Sequence, residues 1–183
     1  MRYEIEKWFQ FINWPHSDIN MQKALHFFSK EREAVRAQFD KLSWYADKAE
    51  QTFAIQYLSD NLMPDEYVYL IMPSQLSLLP YNNNKKYFFP QGGKERWENA
   101  AKTVVKIGWP KVDNIIIPLF VWLIDPNWPG SNIIYNFLLA LPKNILKSKM
   151  IEILNNSNRY DNLLYGDLLL QIHDLSEDAK IIL

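Results

Sequence analysis

The chain has 183 residues, of which 48% are hydrophobic, and its formal net charge is −1 at pH 7. This length and apolar content are sufficient for one compact domain or a short helical array with a continuous core. Basic residues are concentrated in neither half, so nucleic-acid binding is not expected, and the lack of cysteine excludes disulfides and thiolate chemistry. Because no charged and apolar leader follows Met1, we expect a cytoplasmic protein.

Ten prolines beside only five glycines favour an all-α fold, because β-sandwiches need many turn glycines. A first helix is predicted over residues 3–12, where apolar side chains recur at helical spacing. It ends at Asn13-Trp14-Pro15, and either Ser17 or Asp18 caps a second helix.

The dipeptide Trp-Pro recurs where helices are predicted to end. Residues 13–19 match residues 127–133 at five of seven positions, and a third Trp-Pro follows Gly108. We interpret these sites as corners that terminate helices and pack an indole on the neighbouring hairpin, and not as a binding code. The structural corner residues are Trp14, Pro15, Trp109, Pro110, Trp128 and Pro129.

Residues 30–61 form a more polar part of the chain with two apolar stripes at helical spacing. The stripes consist of Ala34, Val35, Phe39 and Leu42, and of Ala49, Phe53, Ile55, Tyr57 and Leu58. Residues 65–79 are rich in tyrosine and aliphatic side chains, so a strand is conceivable there. We predict short helices instead, since prolines bound and divide the segment.

Residues 81–94, YNNNKKYFFPQGGK, show no period and are predicted to be a long loop. Their basic and aromatic side chains form either an exposed patch that docks a partner or stacks on bases, or a staple packed onto the body. The candidate partner-binding residues are Lys85, Lys86, Tyr87, Phe88 and Arg96.

The apolar run IIIPLFVWLI over residues 115–124 is interrupted only by Pro118. It is shorter than the ~20 residues that cross a bilayer as a helix, and we predict no membrane association. Pro118 lacks an N–H group, which would break a central strand but costs little in the first turn of a helix. We therefore predict a helix from Ile117 or Pro118 to near Asp125, with a boundary or kink at the proline.

The second half of the chain is predicted to hold about five helices stacked in pairs. One helix runs from residue 95 to Gly108, and another begins with Pro129 in its first helical position and ends before Pro142. Apolar stripes over residues 145–154 and 163–172 predict two further helices.

Several short motifs of this half follow one another in a fixed order, namely Trp97-Glu98-Asn99, Gly108-Trp109-Pro110, Ile116-Ile117-Pro118, Trp122-Leu123 and Asn127-Trp128-Pro129-Gly130. Together they resemble the signature of a family of small bacterial proteins of uncharacterised function that carry HEAT-type helical repeats. The resemblance covers about residues 95–170 well and the N-terminal half loosely. It implies an α-solenoid and brings no catalytic residues. Pro126 departs from the family pattern and puts the geometry of that turn in doubt.

We therefore predict a HEAT-like α–α superhelix, a short α-solenoid of stacked antiparallel helix hairpins. It is predicted to be a single domain over residues 1–183. N-terminal helices occupy residues 1–80, the loop residues 81–94 and the helical-repeat part residues 95–183.

No cluster of residues in the sequence carries a catalytic or metal-binding signature. His16, His26 and His173 lie far apart without a second ligand at helical spacing, and no Gly-x-Ser-x-Gly motif is present. We predict no enzymatic activity, no cofactor and no metal. The acidic residues near the C-terminus form either a solvated cap on the array or an edge that receives a basic partner.

The most direct functional hypothesis is a non-enzymatic protein-interaction module with an unknown protein partner, since stacked hairpins create a concave face without a reaction centre. One version is an immunity-type protein that sequesters a bacterial toxin. The alternative is a small-molecule-binding protein or enzyme with a loop-covered pocket near residues 81–97, in which Lys85 or Arg96 binds an anion.

Overall fold

The structure is a computed structural model that describes residues 26–27, 29–71, 94–124 and 126–156. Every regular element in these ranges is an α- or 3-10 helix, which confirms the all-α prediction for the described residues. The chain divides into two compact units, Pro15–Leu138 and Met1–Trp14 with Leu139–Leu183. The solenoid arrangement and the single domain stay predictions.

The first helical pair consists of α1, Glu33–Lys41, and α2, Lys48–Asn61, and a 3-10 turn at Lys30–Arg32 leads into α1. A capping box starts α2. The Asp47 carboxylate accepts the Glu50 N–H at 2.7 Å, and the Glu50 carboxylate accepts the Asp47 N–H at 3.4 Å. Two N–H groups that the helix cannot satisfy internally thereby gain partners.

The inner face of α2 differs from the predicted apolar stripe. The helix buries Gln51, Ala54 and Leu58, whereas Ala49 and Phe53 are exposed. The prediction is wrong at the latter two positions because α2 packs against α1 and against the later helix over residues 97–107. Gln51 and Ala54 occupy this inner face together with Leu58, and the largest apolar residue of α2, Phe53, is not part of the core.

A 3-10 helix spans Pro64–Leu70, and Pro64 occupies its first position. This confirms the short-helix prediction and not the strand for that segment, while residues 72–79 lie outside the described residues. The 3-10 helix buries Tyr67, Tyr69 and Leu70 together with the charged Glu66. Tyr69 stacks on Phe27 with ring centroids 4.0 Å apart.

Helix α3, Trp97–Ile107, follows a 3-10 turn at Lys94–Arg96 and ends at Gly108, as predicted. Gly108 has φ +73° and ψ 167°, a backbone conformation that is essentially restricted to glycine and that stops the helix. The buried face of α3 carries Trp97, Asn99, Ala100, Ala101, Thr103, Val104 and Ile107. Val105 on the opposite side of the helix is exposed.

The apolar run 115–124 is helical but irregular. A short α4, Ile116–Leu119, lies between 3-10 helices at Asp113–Ile115 and Phe120–Ile124. The predicted helix therefore starts earlier than expected and is α-helical for one turn. Pro118 is the third residue of α4, where its missing N–H would have had no intrahelical acceptor.

A turn over residues 126–130 leads to α5, Ser131–Leu139. The prediction that Pro129 occupies the first helical position is wrong, because Gly130 after it has φ +86°, which no α-helix accommodates. Ser131, Ile134 and Leu138 are buried on α5.

In the other unit, α6 spans Lys143–Asn156, and the residues that follow it lie outside the described ranges. Leu146, Met150 and Ile153 are buried along it. Across all the ranges described, no helix combines the length and apolar character needed to cross a membrane.

Candidate partner-binding site

The loop over residues 42–47, which joins α1 to α2, has a backbone held by hydrogen bonds. The Trp44 N–H donates to the Glu95 carbonyl at 3.0 Å, which ties the loop to the turn before α3. Ser43 is buried and accepts twice, from the Ala46 N–H at its carbonyl and from the Tyr45 N–H at Oγ. We call this segment the 42–47 loop.

Two buried amide side chains donate hydrogen bonds to backbone carbonyls of the 42–47 loop. Asn99 on α3 donates from Nδ2 to the Leu42 carbonyl at 2.8 Å and to Gln51 Oε1 at 3.1 Å. Gln51 on α2 donates from Nε2 to the Ala46 carbonyl at 2.7 Å. The loop is thus bonded to both helices beneath it, and its conformation follows from their packing.

The 42–47 loop presents two aromatic side chains to solvent. Trp44 is 49% exposed and Tyr45 is 83% exposed, with their ring centroids 5.9 Å apart in an edge-to-face arrangement. Phe53 on α2 is a further exposed ring, at 59%. Clustered exposed aromatics on an ordered backbone are typical of surfaces that bind another molecule.

Arg96, a predicted partner-binding residue, lies at the start of α3 and is only 5% exposed. Its Nη2 is 3.0 Å from Oδ1 of Asp40 at the end of α1, and the Asp40 side chain is 59% exposed. Within the described parts of the chain, Nε and Nη1 of Arg96 have no hydrogen-bond partner. Those two nitrogens carry three of the five guanidinium N–H groups.

This burial is energetically unfavourable as it stands. A buried donor without an acceptor costs about 1–3 kcal/mol, and more when the group is charged. The single contact to a largely solvent-exposed Asp40 offsets only part of that cost. Arg96 is therefore a buried cation whose hydrogen-bonding capacity is mostly unused.

A second cation lies two residues before Arg96. Lys94 Nζ is 5.9 Å from the ring centroid of Trp97 and 5.7 Å from that of Trp128, within the range of cation–π attraction. The two indoles pack edge to face at 5.4 Å. Trp128 is buried, and its Nε1 also lacks a partner among the residues described.

The turn at residues 126–130 positions Trp128 against α3. Trp122 Nε1 donates to the Pro129 carbonyl at 3.0 Å, and the Ser131 hydroxyl donates to the Trp122 carbonyl at 2.8 Å. Gly130 lies so close to α3 that a Cβ there would be 2.8 Å from the Cβ of Ala101. The absence of a side chain at Gly130 allows this approach.

The predicted site residues reach different places. Arg96 lies beside the 42–47 loop, while Trp109 is half-buried and Pro110 exposed in the turn after α3, where the bond between them is cis. Six predicted residues lie outside the described ranges, namely Trp14, Pro15, Lys85, Lys86, Tyr87 and Phe88.

Sequence reasoning missed Asp40, Trp44 and Tyr45. An adjacent Trp-Tyr pair between two helical patterns, just before the helix cap Asp47, was the available signal for the aromatic residues. The pairing of Asp40 with Arg96 had no such signal, because 56 positions separate them in the sequence.

No metal centre is formed in the described ranges, since they contain no group of three or more histidine, aspartate or glutamate residues placed to hold an ion. His26 is exposed, whereas His16 and His173 lie outside those ranges.

Comparison of the chain with protein-family models, with curated proteins and with solved structures finds no match. The fold and the site together define an all-α protein with a fixed, exposed aromatic loop beside a buried arginine. The resemblance to a bacterial HEAT-like family stays a prediction.

Proposed function

We propose that this protein is a non-enzymatic interaction module that binds a protein partner through the 42–47 loop. The observation that carries the proposal is the exposure of Trp44 and Tyr45 on a backbone fixed by Glu95, Asn99 and Gln51. Aromatic rings supply a large contact area at low entropic cost and are frequent binding hot spots. A loop that is ordered before binding loses little further entropy in the complex.

The finer version of the proposal is a cytoplasmic α-solenoid of immunity type that sequesters a toxin. The packing of α2 against both α1 and α3 supports it, because stacked hairpins make the same kind of contacts. A binding protein of this kind needs a complementary surface and no reaction centre.

The test is a capture experiment followed by affinity measurement. The protein is immobilised, bound proteins are recovered from the native host, and the recovered partner is purified and titrated by calorimetry. We expect the double substitution Trp44→Ala, Tyr45→Ala to weaken binding at least tenfold, since hot-spot truncation costs about 2 kcal/mol or more.

Phe53→Ala is the matched control, because it removes a comparably exposed ring outside the 42–47 loop. Its affinity should stay within about fivefold of the original protein, as most contacts outside hot spots contribute less than about 1 kcal/mol. Unchanged binding by the double variant, or an equal loss in Phe53→Ala, would refute the role of the loop.

A second candidate function is a protein that binds a small carboxylate. The observation that favours it is that Nε and Nη1 of the buried Arg96 have no hydrogen-bond partner among the described residues. A thermal-shift screen of small organic acids tests it, because a ligand that binds only the folded state raises the melting temperature. If no acid raises the melting temperature at about 100 μM, which is 100 times a Kd of about 1 μM, the result counts against this candidate.

A further inference from the structure

We infer that the Arg96 guanidinium is a carboxylate-binding site that receives an acidic side chain of the protein partner. The inference rests on the proposed function, because it identifies a charged group of the same partner that binds the 42–47 loop. Its ligand chemistry is a monoanionic carboxylate from aspartate or glutamate.

The state of the guanidinium indicates a missing acceptor. Arg96 is 5% exposed, and neither Nε nor Nη1 contacts an acceptor in the described structure. Buried polar groups in folded proteins nearly always have partners, and the planar fork of arginine matches the two oxygens of a carboxylate. An incoming carboxylate would satisfy the donors that the chain itself leaves open.

Arg96 lies in the turn that is bonded to the 42–47 loop. Its ion-pair partner Asp40 is 59% exposed, so the guanidinium lies at the edge of the protein and not in its centre. Trp44 bonds through its backbone to Glu95, the residue immediately before Arg96. A partner that contacts the two rings therefore lies beside this turn, and its carboxylate reaches Nε and Nη1, each less than 1 Å² exposed, once the side chains that cover them move.

The local charges favour a carboxylate over a phosphate. Lys94 and Arg96 carry two positive charges at the start of α3, and Asp40 and Glu95 balance them with two negative charges. A dianionic phosphate would add repulsion that a monoanion largely avoids. The N-terminus of α3 contributes a partial positive charge, and Arg96 at its N-cap position makes no side-chain capping bond.

The experiment follows the Arg96 Nε–H resonance in proton–nitrogen spectra of the intact protein, assigned through bonds from the Arg96 backbone. Sodium acetate is added while sodium chloride is removed, so that ionic strength stays constant. We expect a saturable shift of this resonance. Arg36, whose guanidinium already donates to the Phe27 and Ser29 carbonyls, is the internal control and should not shift.

Asp40→Asn provides a directional check, because it removes the one carboxylate that already neutralises the guanidinium. Acetate affinity should rise about twofold to fivefold in this variant, which is the range expected when one largely exposed ionic interaction is removed. An unchanged or lower affinity overturns the site.

Parallel titrations with acetate, inorganic phosphate and succinate distinguish the possible ligands of the site. A shift that stays linear with acetate, or one that inorganic phosphate produces at lower concentration than acetate, overturns the carboxylate assignment. Micromolar binding of free succinate instead would assign the site to a small molecule and overturn the partner as the source.

Failure of this inference differs from failure of the proposed function. The variant Trp44→Ala, Tyr45→Ala should lose protein capture yet keep the acetate shift. If a partner is captured, sodium acetate should release it more effectively than sodium chloride at equal ionic strength. Equal release by both salts refutes the carboxylate contact and leaves the aromatic contact supported.

Discussion

At the scale of single side chains, Arg32 and Glu66 form an ion pair between two largely buried side chains. Arg32 Nε donates to Glu66 Oε1 at 2.7 Å, Nη2 donates to Oε2, and Nη2 also donates to the Asn61 carbonyl at 2.8 Å. The Met63 N–H donates to the same carboxylate at 2.9 Å. The pair therefore connects the end of α2 to the 3-10 helix after it.

Arg32→Met should lower the free energy of unfolding by about 3 kcal/mol, because it leaves the buried Glu66 carboxylate without its cation. Urea denaturation at pH 7 measures the loss. Glu98→Gln is the control, since it removes the exposed pair with Lys102 on α3 and should change the free energy by less than about 0.5 kcal/mol. Equal losses in the two variants would contradict the importance of burial.

The environment of Tyr69 predicts that the free energy of unfolding falls at alkaline pH. Burial, reinforced by the nearby Glu66 and Asp65 carboxylates, raises the pKa of Tyr69 to about 12. An unfolded chain has a tyrosine pKa near 10, so the folded state holds this proton more tightly between the two values. The stabilisation is fully present below pH of about 10 and is lost as pH rises through about 12.

The expected result is a free energy of unfolding that falls with pH above about 10 and falls less steeply in Tyr69→Phe, which has no phenol proton to lose. Burial also raises the pKa of Tyr67, so part of the slope should persist in the variant. Denaturant titrations from pH 9 to 12 measure both curves. Identical slopes would show that Tyr69 ionises as it does in water.

At the scale of elements, the approach of the 126–130 turn to α3 depends on Gly130. This residue has φ +86°, and an added Cβ would lie 2.8 Å from Ala101 Cβ, 3.0 Å from the Trp97 carbonyl oxygen and 3.2 Å from Trp122 Nε1. The first two neighbours belong to a packed helix that cannot move without disturbing the core. The turn and α3 therefore form one tightly fitted contact.

Gly130→Ala should destabilise the protein by about 2–4 kcal/mol, from backbone strain of about 1–2 kcal/mol together with the displacement of α3. Gly108→Ala is the matched control, because Gly108 also has positive φ but its nearest neighbour would be 3.5 Å from an added Cβ. Only the strain of φ +73° and ψ 167° applies there, and a loss of about 1–3 kcal/mol is expected. Thermal unfolding compares the two variants, and equal losses would argue against the steric contact.

At the scale of the whole chain, the near-neutral charge makes a prediction about nucleic acid. The net charge of −1 is not polarised between the halves, so no extended basic field is available to release counterions from a duplex. We expect no retardation of duplex DNA in gels at 50 mM salt or below. Salt-dependent retardation, with polylysine as the positive control, would reveal a basic surface and contradict this prediction.

The sequence by itself determined the helical class and several helix ends. Gly108 ends α3 and Pro64 begins the 3-10 helix Pro64–Leu70, because such boundaries act through local backbone preferences. Which face of each helix is buried could be predicted only where large apolar residues marked it, as on α3. On α2 the same reasoning misplaced Phe53, because its inner face carries Gln51 and Ala54.

Only the tertiary structure decided the candidate site. It brings Asp40 of α1, the 42–47 loop and Arg96 together. It leaves Trp44 and Tyr45 exposed, and it buries the Arg96 guanidinium with two nitrogens that have no hydrogen-bond partner among the described residues. Exposure and pairing depend on which segments meet across long stretches of chain, and local periodicity carries no information about those meetings. Helix formation depends on neighbouring residues and can therefore be predicted from the sequence, whereas the site arises from contacts between residues that are distant in the sequence.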